Sequence, residues 1–285
     1  MMRPDLHLHS TASDGANTPH ELARLVQRSA VTLFSLTDHD TLAGLAEAAD
    51  AADERGLPFI PGVEISTEGE DEVHILGYGV RHDDPVLTGF FEAAAQARAE
   101  RLRAMGRKLE KMGYALPLDD ILAGAGACVG RPHLARALTD TGYVRDAQEA
   151  FDRLLGRGCP AYVPREAPSA SRAISLLRER GAVPVLAHPA LIRWPAERMG
   201  PMLKAWQDAG LMGVEVYHPA NRDVYPLWDR WARERGLLVT GGSDYHDGSG
   251  AHGRIGETID AWRTAGEDAW ALFQAARKAA RSSPA

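Results

Sequence analysis

The chain has 285 residues and a formal charge of −7, from 32 Lys plus Arg against 39 Asp plus Glu. With 45% hydrophobic and 25% charged residues it has the makeup of a globular protein with a sizeable core, which excludes a disordered, collagen-like or disulfide-stapled chain. The acidic balance argues against a coat for long nucleic acid; it does not exclude a small anionic ligand, because local charge decides that.

Both ends of the chain alternate strand and helix. Residues 3–8 read as a strand. Thr18-Pro19-His20-Glu21 opens a helix, with Thr18 as N-cap, Pro19 at its first position and Glu21 completing a capping box. The β-branched run at 31–37 reads as a buried strand, 41–55 as a helix stopped by Gly56, and 59–66 and 73–80 as two further strands. From 85 to 113 the sequence turns Ala-rich, charged and helical, and shorter helices follow near 118–122, 132–138 and 147–155. Alternation then resumes: helix 171–180, strand 183–187, helix 196–209, strand 213–217, helix 224–235, strand 237–241 and a last helix near 266–280. Seven strands in βα units predict a mostly parallel sheet closed as a small α/β barrel over 1–82 and 166–285, with 83–165 as a helical insertion domain that caps the substrate.

Cys128 and Cys159 stand alone without CxxC pairing, which predicts reduced thiols. The N-terminus has no apolar leader, and no apolar run reaches the roughly 18 residues of a membrane span, so a cytoplasmic chain without a membrane partner is expected.

The eleven histidines carry the chemical signal. Barrel enzymes place their chemistry at the C-terminal ends of the strands. The first strand ends in His7-Leu8-His9, where period-two alternation puts both imidazoles on one face. The second runs into Asp38-His39-Asp40, the third carries Glu64, the fourth has His74 near its start, the fifth meets His188-Pro189, the sixth leads to Glu215 and His218, and the seventh ends in Gly242-Ser243-Asp244-Tyr245-His246. So many buried imidazoles and carboxylates at one barrel end need compensation, and divalent metals with mixed N/O ligands supply it.

In this order, His7-Leu8-His9, Ser13-Asp14-Gly15, Thr37-Asp38-His39, Gly62-Val63-Glu64, His188-Pro189 and the Gly-Ser-Asp-Tyr-His segment at 242–246 make the chain resemble the PHP (polymerase and histidinol phosphatase) family of metal-dependent phosphoesterases. The resemblance covers about 1–80 and 171–257, and is greatest to bacterial members that act on nucleotides, including nucleotide 3′,5′-bisphosphate phosphatases. It implies a distorted seven-stranded (β/α) barrel and a trinuclear metal centre. One metal would take His7, His9, Glu64 and Asp244; a second would share Glu64 and take His74 and His188; a third would take Asp14, His39 and His246. Asp14 departs from relatives that have histidine there, which changes charge and metal preference at the third site. The implied cofactor is two to three divalent ions, Mn2+ first, with Zn2+ or Fe2+ as alternatives. The ions would lie about 3.5–4 Å apart and clamp a phosphoryl group around a bridging hydroxide, with Asp244 or His246 as proton relay.

Phosphate needs fixed donors. Arg193 matches a phosphate-binding arginine of related histidinol phosphatases, and His218 is a similar candidate for binding and catalysis. Arg131 and His133, at a helix start in the insertion, make an anion site or a helix cap. Asn17 donates to phosphate or holds a turn. His20, His82 and His252 lack such context, and Trp194, Tyr217 and Tyr245 read as core more than as base-stacking groups. The expected activity is removal of the 3′-phosphate from a small nucleotide 3′,5′-bisphosphate. The alternatives are a 5′→3′ exonuclease on short 5′-phosphorylated oligonucleotides, a histidinol phosphate phosphatase, and a structural module without activity.

Overall fold

The computed structural model describes residues 2–67, 73–124, 129–164, 166–192, 194–249, 253–262, 271, 272 and 274. Arg193, His252, Cys128 and nearly all of the helix expected near 266–280 lie outside them. The chain divides into two units, Met1–Pro85 with Pro168–Ala285, and Val86–Ala167.

The first unit is a seven-stranded sheet in sequence order: β1 (Pro4–Asp5), β2 (Leu33–Leu36), β3 (Phe59–Ser66), β4 (His74–Tyr78), β5 (Val183–Leu186), β6 (Gly213–Tyr217) and β7 (Leu238–Gly241). Its two edges meet. The Leu6 amide donates to Gly241 O at 3.1 Å, the His9 amide donates to Tyr245 O at 2.9 Å, and Leu8 bridges Tyr245 in parallel. The result is a nearly closed barrel, which consumes the exposed edges an open sheet would leave.

Four of the strand pairings are parallel, but β4 runs antiparallel to both β3 and β5. The sheet is thus mostly parallel, as expected, with one strand reversed. Only seven residues separate β3 from β4, too few for a crossover helix, so the chain returns as a hairpin. This reversal matters for the site: the start of β4 lies at the barrel end where the other strands finish, and His74 pairs in register with Ser66.

The helices α1 (Pro19–Arg28), α2 (Leu45–Glu54), α7 (Ala170–Glu179), α8 (Ala196–Asp208) and α9 (Tyr225–Glu234) belong to this unit. The Thr18–Glu21 capping box forms with both of its bonds: the Glu21 amide donates to Thr18 Oγ1 at 3.2 Å and the Thr18 amide to Glu21 Oε2 at 3.0 Å. α2 begins at Leu45 rather than at Thr41, because Asp40 takes a positive φ of 48° and Thr41 Oγ1 holds a turn by accepting from the Ala43 amide.

The second unit contains α4 (Leu118–Gly124), α5 (Arg131–Asp140), α6 (Ala147–Ala150) with a π-helical turn at Phe151–Leu155, and nearly all of α3 (Pro85–Lys111). It has its own core of Leu102, Met105, Leu109, Leu134, Leu138 and Leu155. Cys159 is a free thiol whose S–H donates to Asp152 O at 3.3 Å. Among the described residues no helix is long and apolar enough to cross a membrane.

Candidate metal centre

The barrel rim is built strand by strand. His7 and His9 leave β1 in extended register on either side of the buried Leu8, so their rings lie on the same face with centroids 5.1 Å apart. Beyond β2, pairing continues as a parallel bridge between His39 and Glu64, which places the His39 ring beside the carboxylate at the middle of β3. β4, β5 and β7 deliver His74, His188 and Asp244.

Glu64 is the hub of this arrangement. Its Oε2 lies 3.1 Å from His7 Nε2, 3.3 Å from His9 Nε2 and 3.2 Å from His39 Nδ1. Its Oε1 lies 2.8 Å from His74 Nδ1 and 3.0 Å from His188 Nε2. Five imidazoles thus converge on one buried carboxylate, three at one oxygen and two at the other. Asp244 Oδ1 extends the first set, 3.3 Å from His7 Nε2 and 3.2 Å from His9 Nε2. Asp14 opens a further set, with Oδ1 3.6 Å from His9 Nδ1 and 3.4 Å from His246 Nε2, and Oδ2 3.9 Å from His39 Nε2.

The spacing fits divalent cations. Two ligand atoms each about 2.1 Å from one ion, subtending 90–110°, lie roughly 3.0–3.4 Å apart. Most of the nitrogen–oxygen separations at Glu64 and Asp244 fall in that range, so they read as edges of coordination polyhedra as well as hydrogen bonds. Among the described residues, four groups of donors have ligand atoms within 4.8 Å of one another: His7–His9–Glu64–Asp244, His39–Glu64–His74, His9–Asp14–His39–His246 and His7–Glu215–His218. Neither ring nitrogen of the fully buried His9 has a hydrogen bond of good geometry. A protein interior rarely leaves such a group unsatisfied, and a cation answers it. These buried clusters are consistent with several divalent metal sites.

The hydrogen bonds on the second nitrogens sort the imidazoles by tautomer. His7 Nδ1 donates to Glu215 Oε1 at 2.9 Å, and His246 Nδ1 donates to Asp244 O at 2.9 Å. In the neutral ring each of these leaves an Nε2 lone pair facing the cluster, as a metal ligand requires. His218 is the opposite case. Its Nδ1 accepts from the Ala220 amide at 3.1 Å, so the neutral ring carries its proton on Nε2, 3.3 Å from Asp244 Oδ2. His218 is therefore held as a donor, and its geometric membership of a donor group with His7 and Glu215 does not make it a ligand.

Burial opposes charge throughout the cluster, and the neighbours decide the outcome. Burial pushes Glu64 up, but the charges of His39, His7 and His74 hold it well below the usual carboxylate range. Burial pushes His39 down to about 3. Burial also works against the imidazolium of His9, yet Asp244 and Glu64 raise it to about 10. Asp14 stays well below its ordinary value because His246, His39 and His9 outweigh its desolvation.

A supporting layer fixes these groups. Glu215 is fully buried and spans two of them, since its Oε2 accepts from the His188 amide at 2.9 Å while Oε1 holds His7. Asp38 gathers the loop that presents Asp14, accepting from the Ser10 amide at 2.7 Å, Ser10 Oγ at 2.7 Å and Ser13 Oγ at 2.6 Å. Asn221 joins the loops after β5 and β6, accepting from the Ala190 amide and donating to Glu215 O and Val216 O. Among the described residues, the non-glycine positions with positive φ are Asp40, His188 and Asp244, all on this rim. Such strain persists only where the surroundings over-determine it. Glu215 stands at the sixth strand in the sequence without a role assigned to it. Its signal was an acid inside the apolar run Val214–Val216.

The expected substrate contacts divide. His218 lies in the cluster. Asn17 Oδ1 accepts from the Tyr245 hydroxyl at 2.9 Å, and Tyr245, like Tyr217, is buried. Arg131 and His133 belong to the second unit: His133 Nδ1 accepts from the Gly130 amide at 3.2 Å as a helix cap, and the Arg131 guanidinium sits over the Phe151 ring at 5.4 Å. His20 is a surface residue bonded to Arg55. Beside the cluster, Asp244 and His218 form one side of an open cleft of about 820 Å³ whose other walls include Leu191, Pro219, Arg254 and Ile255.

A PHP domain family model matches residues 5–156. A 3′,5′-nucleoside bisphosphate phosphatase of Chromobacterium violaceum is 37% identical over 265 residues, covering 91% of this chain and 93% of that protein. A 5′-3′ exoribonuclease of Haemophilus influenzae is 36% identical over 246 residues, covering 85% of this chain and 89% of that protein. Among solved structures, an amidohydrolase from Chromobacterium violaceum with bound SO4 and no metal superposes with a TM-score of 0.78 at 36% identity, covering 88% of this chain and 90% of that one.

Proposed function

The chain belongs to the PHP domain family and is a metal-dependent phosphoesterase, and from that premise we propose that it removes the 3′-phosphate of a nucleoside 3′,5′-bisphosphate, leaving the 5′-monophosphate. The observation that carries the hydrolytic reading is Glu64, whose two oxygens face separate sets of imidazoles. The choice of substrate is supported by the similarity to a phosphatase of that name over nearly the whole of both chains.

In this reading the ligands are His7, His9, Glu64 and Asp244 for one ion, Glu64, His74 and His188 for a second, and Asp14, His39 and His246 for a third. Divalent ions held there would supply an activated water and neutralise charge on the phosphoryl oxygens. The chain's own residues do the rest. Glu64 fixes the separation of the two main donor sets, and Glu215 keeps the His7 lone pair aimed at them. His218 offers a fixed Nε2–H toward Asp244 and the cleft, placed to donate to a phosphoryl or leaving-group oxygen. Arg193 and Asn17 are proposed phosphate contacts.

A second reading, a 5′→3′ exonuclease on short 5′-phosphorylated RNA, has support from the exoribonuclease relative at almost the same identity. Both reactions break the bond between O3′ and phosphorus, and they differ in what the phosphorus carries away. The test is a product assay in Mn2+ comparing a 3′,5′-bisphosphate, a 5′-monophosphate, a short 5′-phosphorylated RNA and histidinol phosphate. The proposal expects the highest kcat/KM for phosphate release from the bisphosphate and none after chelation. A higher kcat/KM for 5′-nucleotide release from RNA, or for histidinol phosphate, would displace it.

A further inference from the structure

The cleft beside the metal centre has a composition that the hydrolytic chemistry does not require. Two of its residues, Asp244 and His218, belong to the cluster, so a phosphoester reacting there has this cleft as an outlet for its organic part. The wall is apolar where a sugar or base would lie: Pro219, Ile255 and Leu191, the last 48% exposed and thus an uncovered hydrophobic surface. Its volume of about 820 Å³ suits one nucleotide.

A cation also lines it. Arg254 is exposed, and Glu257, the carboxylate nearest in sequence, is already committed. Glu257 Oε2 accepts from the Arg254 main-chain amide at 2.8 Å, and Oε1 pairs with Arg222. None of the hydrogen bonds among the described residues uses the Arg254 guanidinium.

The segment carrying Arg254 is anchored to the turn that follows β7 and carries Asp244. Fully buried Asp5 accepts from the Ser243 amide at 2.9 Å through Oδ1 and from the Gly256 amide at 2.7 Å through Oδ2. Gly253 packs so closely on this turn that a Cβ would fall 2.0 Å from Ser243 O. Arg254 is thus mounted on the same rigid frame as the metal-facing carboxylate, as a site for a second fixed anion requires.

We infer that Arg254 binds the second phosphate of the substrate, the 5′-phosphate, while the nucleoside rests on the Leu191–Pro219–Ile255 wall. This makes Arg254 a specificity-determining residue. The inference rests on the reading that the O3′–P bond is broken at the metal centre, and it applies to a bisphosphate or to the 5′ end of an oligonucleotide.

The test compares metal-loaded wild type, Arg254→Met and Arg254→Lys on matched pairs: adenosine 3′,5′-bisphosphate against adenosine 3′-monophosphate, and a 5′-phosphorylated against a 5′-hydroxyl dinucleotide. Wild type should prefer the 5′-phosphorylated member of each pair that it hydrolyses. Arg254→Met should lower kcat/KM on that member by about 10- to 100-fold, the effect of one charged hydrogen bond, and change its partner by less than about twofold. Arg254→Lys should recover part of the loss. An equal loss on both members, or no loss on the 5′-phosphorylated one, overturns the inference and leaves the hydrolytic reading standing. A wild-type enzyme that breaks no O3′–P bond in either pair overturns both.

Discussion

Replacing Glu215 by Gln tests the tautomer argument at its most exposed point. The carboxylate accepts two hydrogen bonds with no access to solvent, from His7 Nδ1–H and from the His188 amide, each at 2.9 Å. A glutamine has one oxygen and one amide nitrogen for these two donors. If its oxygen meets the His188 amide, its NH2 faces His7 Nδ1, and the neutral ring must move its proton to Nε2, where it blocks the lone pair aimed at Glu64 and Asp244. If its oxygen keeps His7, the His188 amide meets a second donor, in a backbone already held at a φ of +23°. Either way one buried charged hydrogen bond is lost, about 1.5–3 kcal/mol, and carboxylates behind metal-bound histidines typically set 10- to 100-fold in affinity or activity. The expected result is a metal affinity about 10- to 100-fold weaker, read by titrating Mn2+ into chelator-stripped protein, with activity lost at limiting Mn2+ and partly restored at excess. Circular dichroism separates this from global unfolding. A folded Glu215→Gln enzyme with unchanged Mn2+ affinity would refute the assignment of His7 Nε2 as a ligand and the role given to Glu215.

Three further outcomes follow from the same geometry. Gly242→Ala should cripple metal binding without a change at any donor, because a Cβ there would lie 2.3 Å from His7 Cβ and 2.5 Å from His7 N; full metal occupancy in a folded variant would contradict the close approach. Metal uptake near pH 7 should release protons, since the metal-free His9 is raised to about 10 and carries its proton at that pH, so affinity should fall as pH falls; calorimetry in buffers of different ionisation enthalpy reads the release, and a value near zero would contradict it. Thr18→Ala should cost about 1 kcal/mol of stability by denaturant titration through loss of the α1 cap, with kcat/KM unchanged; an equal loss in activity would mean that α1 communicates with the rim.

The sequence exposed what is local and left out what depends on the return of the chain. The alternation in His7-Leu8-His9 and the capping box at Thr18 are set by neighbours two and three residues apart, and both appear in the structure as read. The reversal of β4 could not be read from an apolar run, which has no direction; only the short connection after β3 hinted at a hairpin. Glu215 and His218 show the same limit more sharply. Both were visible as polar groups at the sixth strand, but their roles come from partners remote in sequence or from a single backbone amide. Glu215 serves His7, 208 residues away, whereas His218 is turned from ligand to donor by the amide of Ala220. The protonation state of an imidazole, and hence its division between holding a metal and giving a proton, is settled by what touches its other nitrogen. That contact is a tertiary fact, so a sequence motif can gather the histidines of such a centre but cannot allot them their tasks.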